Sequence, residues 1–124
     1  MSEIKSYRDL KIWLDAMTLV EGCYLFTKIF PRDEMYGLTS QIRRASVSVP
    51  ANIAEGYGRD STGSYVQFLK VAQGSLKELE THLILSQRLK LGSFDIAEQL
   101  LGQADRIGRM LRALVRSLQT SNER

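Results

Sequence analysis

The chain has 124 residues, a length that suits one domain with a single core. Apolar residues make up 44% of it and charged residues 25%, which is typical of a folded globular domain and excludes wholesale disorder. Lys and Arg number 17 against 14 Asp and Glu, so the formal charge is +3. This mild excess permits binding to a polyanion without requiring it.

The sequence lacks three features: a membrane-spanning segment, a secretory signal and a pair of cysteines. The longest stretch without a charge, residues 45–54, is far shorter than the roughly 20 apolar residues of a membrane-spanning helix. The N-terminus lacks the apolar core of a secretory signal, so we expect a cytoplasmic protein with no membrane contact. Cys23 is the single cysteine, which excludes an internal disulfide and a cysteine metal cluster.

The first predicted helix covers about residues 7–29, where Ser6 and Asp9 offer an N-terminal cap. It is apolar on two sides, which indicates either contact with a second subunit or a central place in a small bundle. One side carries Leu10, Trp13, Leu14, Met17, Val20 and Tyr24, and the other carries Ile12, Ala16, Leu19, Cys23 and Phe26.

The second predicted helix covers about residues 38–58. Pro31 and Gly37 indicate a connection before it. Its apolar positions keep a helical period on both sides of Pro50, so we predict one helix with a local kink there.

The third and fourth helices are predicted at about residues 62–90 and 93–119. Gly92 ends the third helix, and Ser93 caps the start of the fourth. The connections between all four helices are short, which favours antiparallel neighbours. The sequence therefore predicts an all-α protein, a single up-down-up-down four-helix bundle over residues 1–124.

Basic residues gather on the fourth predicted helix, opposite its apolar face. They form either a solvated face that complements the helix dipole or a strip that contacts phosphates. The candidate nucleic-acid-binding residues are Arg106, Arg109, Arg112 and Arg116, with Arg43, Arg44 and Arg59 from the second helix and its end.

A polar stripe lies beside the apolar face of the second helix. Half-buried amides and carboxylates need partners, so we expect a hydrogen-bond network that reaches the third helix or a neighbouring subunit. A ligand contact is the alternative. The candidate network residues are Gln41, Ser48, Asn52 and Glu55, with Ser75 and Glu78 on the third helix.

The pattern offers little support for catalysis. A di-iron centre in a bundle needs a Glu-x-x-His spacing on two helices, whereas His82 is the single histidine. The run 56–59 (GYGR) lacks the Lys-Ser or Lys-Thr of a phosphate-binding loop. We therefore expect no enzyme activity, no cofactor and no metal.

Several runs resemble one known family, the four-helix bundles encoded in intervening sequences of bacterial 23S ribosomal RNA genes. The resemblance covers about residues 7–90 and is most specific in its centre. The runs are residues 9–13 (DLKIW), Phe30 and Pro31, residues 36–45 (YGLTSQIRRA), residues 48–59 (SVPANIAEGYGR), and Phe68, Leu69, Ala72, Gly74, Ser75, Leu76, Glu78, Leu79 and Glu80.

The resemblance implies a left-handed bundle that assembles into a homopentameric ring. It also implies a relationship to the accessory variability protein of diversity-generating retroelements, which binds a reverse transcriptase and nucleic acid. Two hypotheses follow. The first is a non-enzymatic oligomeric scaffold that binds structured RNA or DNA through phosphates, and the second is an adaptor that docks a polymerase or another protein without touching nucleic acid.

Overall fold

The computed structural model describes residues 3–122, with side chains described as far as residue 120. Four α-helices account for most of this range: α1 (Lys11–Thr27), α2 (Ser40–Tyr57), α3 (Thr62–Arg88) and α4 (Phe94–Asn122). No strand occurs between residues 3 and 122. The described chain is therefore all-helical and forms a four-helix bundle.

α1 begins at Lys11 rather than at residue 7. Ser6 and Asp9 do form a capping box, in which Ser6 Oγ accepts from Arg8 N at 3.1 Å and Asp9 Oδ2 accepts from Ser6 N at 3.3 Å. The box caps a separate 3₁₀ turn, Tyr7–Asp9, because Leu10 adopts an extended backbone (φ −75°, ψ 124°) that interrupts the helix. At its other end α1 stops at Thr27 instead of residue 29.

The start of α2 also differs from the sequence prediction. Residues Met35–Thr39 form a kinked turn in which Gly37 has a non-helical backbone (φ −108°, ψ −119°) and the Glu34 carboxylate accepts from Leu38 N at 3.1 Å, so α2 begins at Ser40 instead of residue 38. α2 then continues through the buried Pro50 and ends at Tyr57. A proline inside a helix costs about 3 kcal/mol. Burial of Val49 and Ile53 on either side of the ring offsets this cost.

The turn between α3 and α4 is tight, and Gly92 in it lies against two phenylalanine rings. Lys90 and Gly92 both have positive φ values, 60° and 70°. A Cβ atom on Gly92 would lie 2.8 Å from the rings of Phe26 and Phe30, so only glycine fits there. Ser93 Oγ then accepts from Ile96 N at 3.2 Å at the start of α4.

The buried stripes of the four helices meet in one hydrophobic core. α2 packs against α1 and α3, and α4 packs against the same two helices, so α2 and α4 lie diagonally across the bundle. The second predicted apolar stripe of α1 is divided: Leu10 and Trp13 pack against the core, whereas Leu14, Met17 and Tyr24 are 49%, 39% and 42% exposed. The largest fully buried core side chains include Leu19, Ile42, Ile53, Leu69, Leu79, Leu83, Ile107 and Leu111.

Candidate nucleic-acid interface

The outward face of α4 carries four exposed arginines. Their spacing of three or four residues keeps them on one side of the helix, while Ile107 and Leu111 on the other side are buried in the core. We call this surface the arginine strip. It consists of Arg106, Arg109, Arg112 and Arg116.

One carboxylate lies within the arginine strip. Asp105 Oδ2 is 2.9 Å from Arg109 Nη2, and the two side chains are 51% and 72% exposed. Water screens such a pair, which contributes only about 0–1 kcal/mol, so Arg109 can exchange it for a phosphate at little cost. The other three arginines form no ion pair within the described side chains.

A groove of about 360 Å³ lies between α3 and α4, on one side of the arginine strip. Lys70, Lys77 and Arg112 supply its cations, and Glu80 and Asp105 supply its carboxylates. Lys77 Nζ lies 3.1 Å from Glu80 Oε1, which leaves Lys70 and Arg112 without an ion pair in the described part of the chain. We call this feature the α3–α4 groove.

A smaller groove of about 230 Å³ lies between α1 and α4 on the other side of the strip. Arg106 lines it together with Lys11 and Asp15, whose Nζ and Oδ2 atoms are 3.0 Å apart. The arginine strip is therefore bordered by a concave surface on each side.

The three other predicted basic residues do not join the arginine strip. They belong to α2 or follow it directly, and α2 lies diagonally opposite α4. Arg43 is half-buried and held against α1, because its Nε donates to Thr27 Oγ1 at 2.9 Å and its guanidinium lies 4.5 Å from the centre of the Tyr24 ring. Arg44 is exposed.

Arg59 is occupied by its immediate neighbours. Its Nη2 lies 3.6 Å from Glu55 Oε2, and its guanidinium lies 4.7 Å from the centre of the Phe68 ring. Arg43, Arg44 and Arg59 therefore lie apart from the arginine strip, and their part in nucleic-acid binding stays a prediction.

Three of the six predicted network residues form hydrogen bonds with one another. The Oγ atoms of Ser48 and Ser75 are 2.7 Å apart, which joins α2 to α3. The Asn52 Nδ2 atom donates to Ser48 Oγ at 3.0 Å and to the Ser48 carbonyl at 2.8 Å. These three half-buried residues satisfy one another, as polar groups beside a core require.

The other three predicted network residues lie outside it. Glu55 pairs with Arg59, just beyond the end of α2, and Glu78 pairs with His82 Nε2 at 3.2 Å on α3, each four residues along the chain. Gln41 forms no side-chain hydrogen bond within the described residues. The two glutamates pair locally because a partner four residues away along the chain is closer than one across the bundle.

Cys23 is fully buried in the core. Burial raises the pKa of its thiol from 9.0 to about 12, against a smaller opposing effect of the hydrogen bond with Ser46. Such a thiol stays protonated and unreactive. Between residues 3 and 122 no group of three or more His, Cys, Asp or Glu residues is arranged to hold a metal ion, and no helix combines the length and apolar character needed to cross a membrane.

Sequence reasoning missed one large surface feature, a groove of about 610 Å³ between α1 and α2. Tyr24, Met35 and Val47 line it with exposed apolar surface, and Arg43 and Arg44 border it. We call it the α1–α2 groove. Tyr24 belongs to the second apolar stripe of α1, but Met35 comes from the connecting turn, whose path the periodicity does not reveal.

The chain matches the model of a known protein family. The family described as 23S rRNA-intervening sequence protein matches residues 8–113, which is most of the chain. The chain belongs to this family. No curated protein matches it.

The fold of this chain also occurs in a solved structure. The chain is similar to a protein of unknown function from the S23 ribosomal protein family of Bacteroides thetaiotaomicron, with a TM-score of 0.76 and 20% sequence identity over 84% of this chain and 97% of that one. At this identity the likeness concerns the fold alone. Three residues of the arginine strip lie within the family match, whereas Arg116 lies beyond its end at residue 113.

Proposed function

We propose that this protein is a non-enzymatic, oligomeric, cytoplasmic scaffold that binds structured RNA or DNA through phosphates. One observation carries the proposal: an exposed helix face bears four arginines, three of them without an ion pair among the described residues. A guanidinium group can donate two parallel hydrogen bonds to two oxygens of one phosphate, and each such contact releases counterions from the nucleic acid.

The proposed contact reads shape and charge instead of sequence. The arginine strip carries no aromatic side chain on which a base stacks. Binding should therefore tolerate changes of sequence and weaken steeply with salt.

Assembly is the second part of the proposal. We infer that the helices alternate in direction as an up-down-up-down, left-handed bundle and that the chain forms a homopentamer. The exposed stripe of Leu14, Met17 and Tyr24 on α1 supports self-association, because an apolar helix face favours burial against another subunit. Five copies of a +3 chain carry +15, which turns a weak charge bias into an appreciable field.

Replacement of all four strip arginines by glutamine tests the proposal. We expect fluorescence anisotropy with a structured RNA and a DNA duplex to show at least a tenfold loss of affinity at about 50 mM salt. The matched control replaces four exposed cations elsewhere, Lys5, Lys28, Arg32 and Arg88, and changes the net charge equally. Equal losses in both variants, or no loss in the strip variant, would contradict the proposed site.

The α1–α2 groove favours a second candidate function, an adaptor that docks a protein such as a reverse transcriptase. Its apolar surface and its two arginines suit a partner segment that is both apolar and acidic. A partner retained on the immobilised protein after nuclease treatment, and lost when Val47 is replaced by glutamate, would favour the adaptor. Release of every partner by nuclease would favour the scaffold.

A further inference from the structure

Two glycines inside helices line the α3–α4 groove without a packing reason for being glycine. A Cβ atom on Gly74 of α3 would meet no atom within 4 Å, and one on Gly108 of α4 would meet only the Arg112 Nη1 atom at 3.6 Å. Gly22 differs, because its Cβ would lie 2.8 Å from a Leu100 methyl group. Glycine in a helix interior is unfavourable relative to alanine, and at positions 74 and 108 it leaves the groove without two side chains that would otherwise enter it.

The missing side chains keep the groove open. Gly74, Gly108 and the buried Leu76 line the groove, and we call these three residues its floor. The two glycines present no side chain that would obstruct a flat ring. The volume of about 360 Å³ is near the lower limit of small-molecule sites, about 300–1,000 Å³, and therefore suits one small ligand and not a duplex.

The rim of the groove favours an anion. Glu80 pairs with Lys77, and Asp105 pairs with Arg109, both through contacts that are open to water. Lys70 and Arg112 have no such partner among the described residues and come from the two helices that form the walls. An anionic group between them would be held by two cations, one of which can bind phosphate oxygens in pairs.

We propose that the α3–α4 groove binds one nucleotide, with its phosphate on Lys70 and Arg112 and its base flat against the floor at Gly74 and Gly108. The inference rests on the proposed function where that nucleotide belongs to a bound strand. A free nucleoside monophosphate presents the same chemistry, so the test includes both sources.

The test uses adenosine monophosphate, adenosine and inorganic phosphate as separate probes of the full chain, with amide chemical shifts as the readout. We expect the monophosphate to shift the Gly74 and Gly108 amides and to bind at least tenfold more tightly than either fragment. A short single-stranded oligoadenylate should shift the same amides if the nucleotide comes from a strand. Its failure to do so, while the monophosphate binds, assigns the groove to a free nucleotide.

Gly74→Leu fills the groove, and Gly102→Leu is its matched control. Gly102 is an exposed glycine of α4 whose Cβ would also meet no atom within 4 Å, and it does not line the groove. Both variants should melt at or above the wild-type temperature, whereas only Gly74→Leu should lose monophosphate binding, by at least tenfold.

Three results would overturn the inference: unshifted Gly74 and Gly108 amides, equal shifts with phosphate alone, or equal binding by the two leucine variants. Each is independent of the scaffold proposal, which fails instead if wild-type protein does not bind structured RNA or DNA at low salt.

Discussion

Burial decides the chemistry of Cys23. Its thiol has a pKa raised to about 12, so the folded state keeps a proton that the unfolded chain begins to release near pH 9. The stabilising contribution is therefore complete below that pH and is lost as the pH rises through the folded pKa. We expect the wild type to lose more stability between about pH 8 and pH 10.5 than Cys23→Ala does, as measured by denaturant unfolding. Equal losses in the two proteins would contradict this assignment.

The Ser48–Ser75 hydrogen bond makes a second prediction for individual residues. Ser75→Ala should destabilise the fold by about 1 kcal/mol, and Ser48→Ala by more, since Ser48 also accepts from Asn52. A double-mutant cycle should give a coupling of about 0.5–1.5 kcal/mol between the two serines. Simple additivity of the two substitutions would show that the bond contributes nothing.

At the level of the helices, two glycines should respond in opposite directions to alanine. Gly102→Ala places a Cβ in open space on α4 and should stabilise the fold by about 1 kcal/mol. Gly92→Ala should destabilise it, because the residue has φ 70° and its Cβ would lie 2.8 Å from two phenylalanine rings. Thermal unfolding of both variants measures the two shifts, and a stable Gly92→Ala protein would contradict the turn geometry.

The helices themselves could be predicted from the sequence, because apolar periodicity and caps are local signals. The apolar stripe of Ile42, Val49 and Ile53 correctly predicted that α2 continues past Pro50. The ends were less predictable, since Leu10 breaks the helical backbone with no Pro or Gly beside it, and the break at Gly37 is followed by two further residues before α2 begins at Ser40. Periodicity also gives no information about which helices are diagonal, so it could not separate the α2 arginines from those of α4.

For the whole molecule, assembly should depend on the exposed stripe of α1. Met17→Glu and Tyr24→Glu place charges on that stripe and should reduce the oligomer mass measured by light scattering. Ile84→Glu is the control, because Ile84 is similarly exposed, at 46%, but lies on α3. Unchanged mass in all three variants would show that this stripe is not the interface.

The salt dependence of nucleic-acid binding tests the central claim most directly. The slope of log affinity against log salt concentration counts the phosphates that the protein neutralises, at about 0.9 per contact on duplex DNA. We expect a steep slope for the wild type between about 50 and 200 mM salt, and a slope shallower by about 3 to 4 for the variant with four strip arginines replaced by glutamine. The same slope in both proteins, or no binding by the wild type at low salt, would contradict the account.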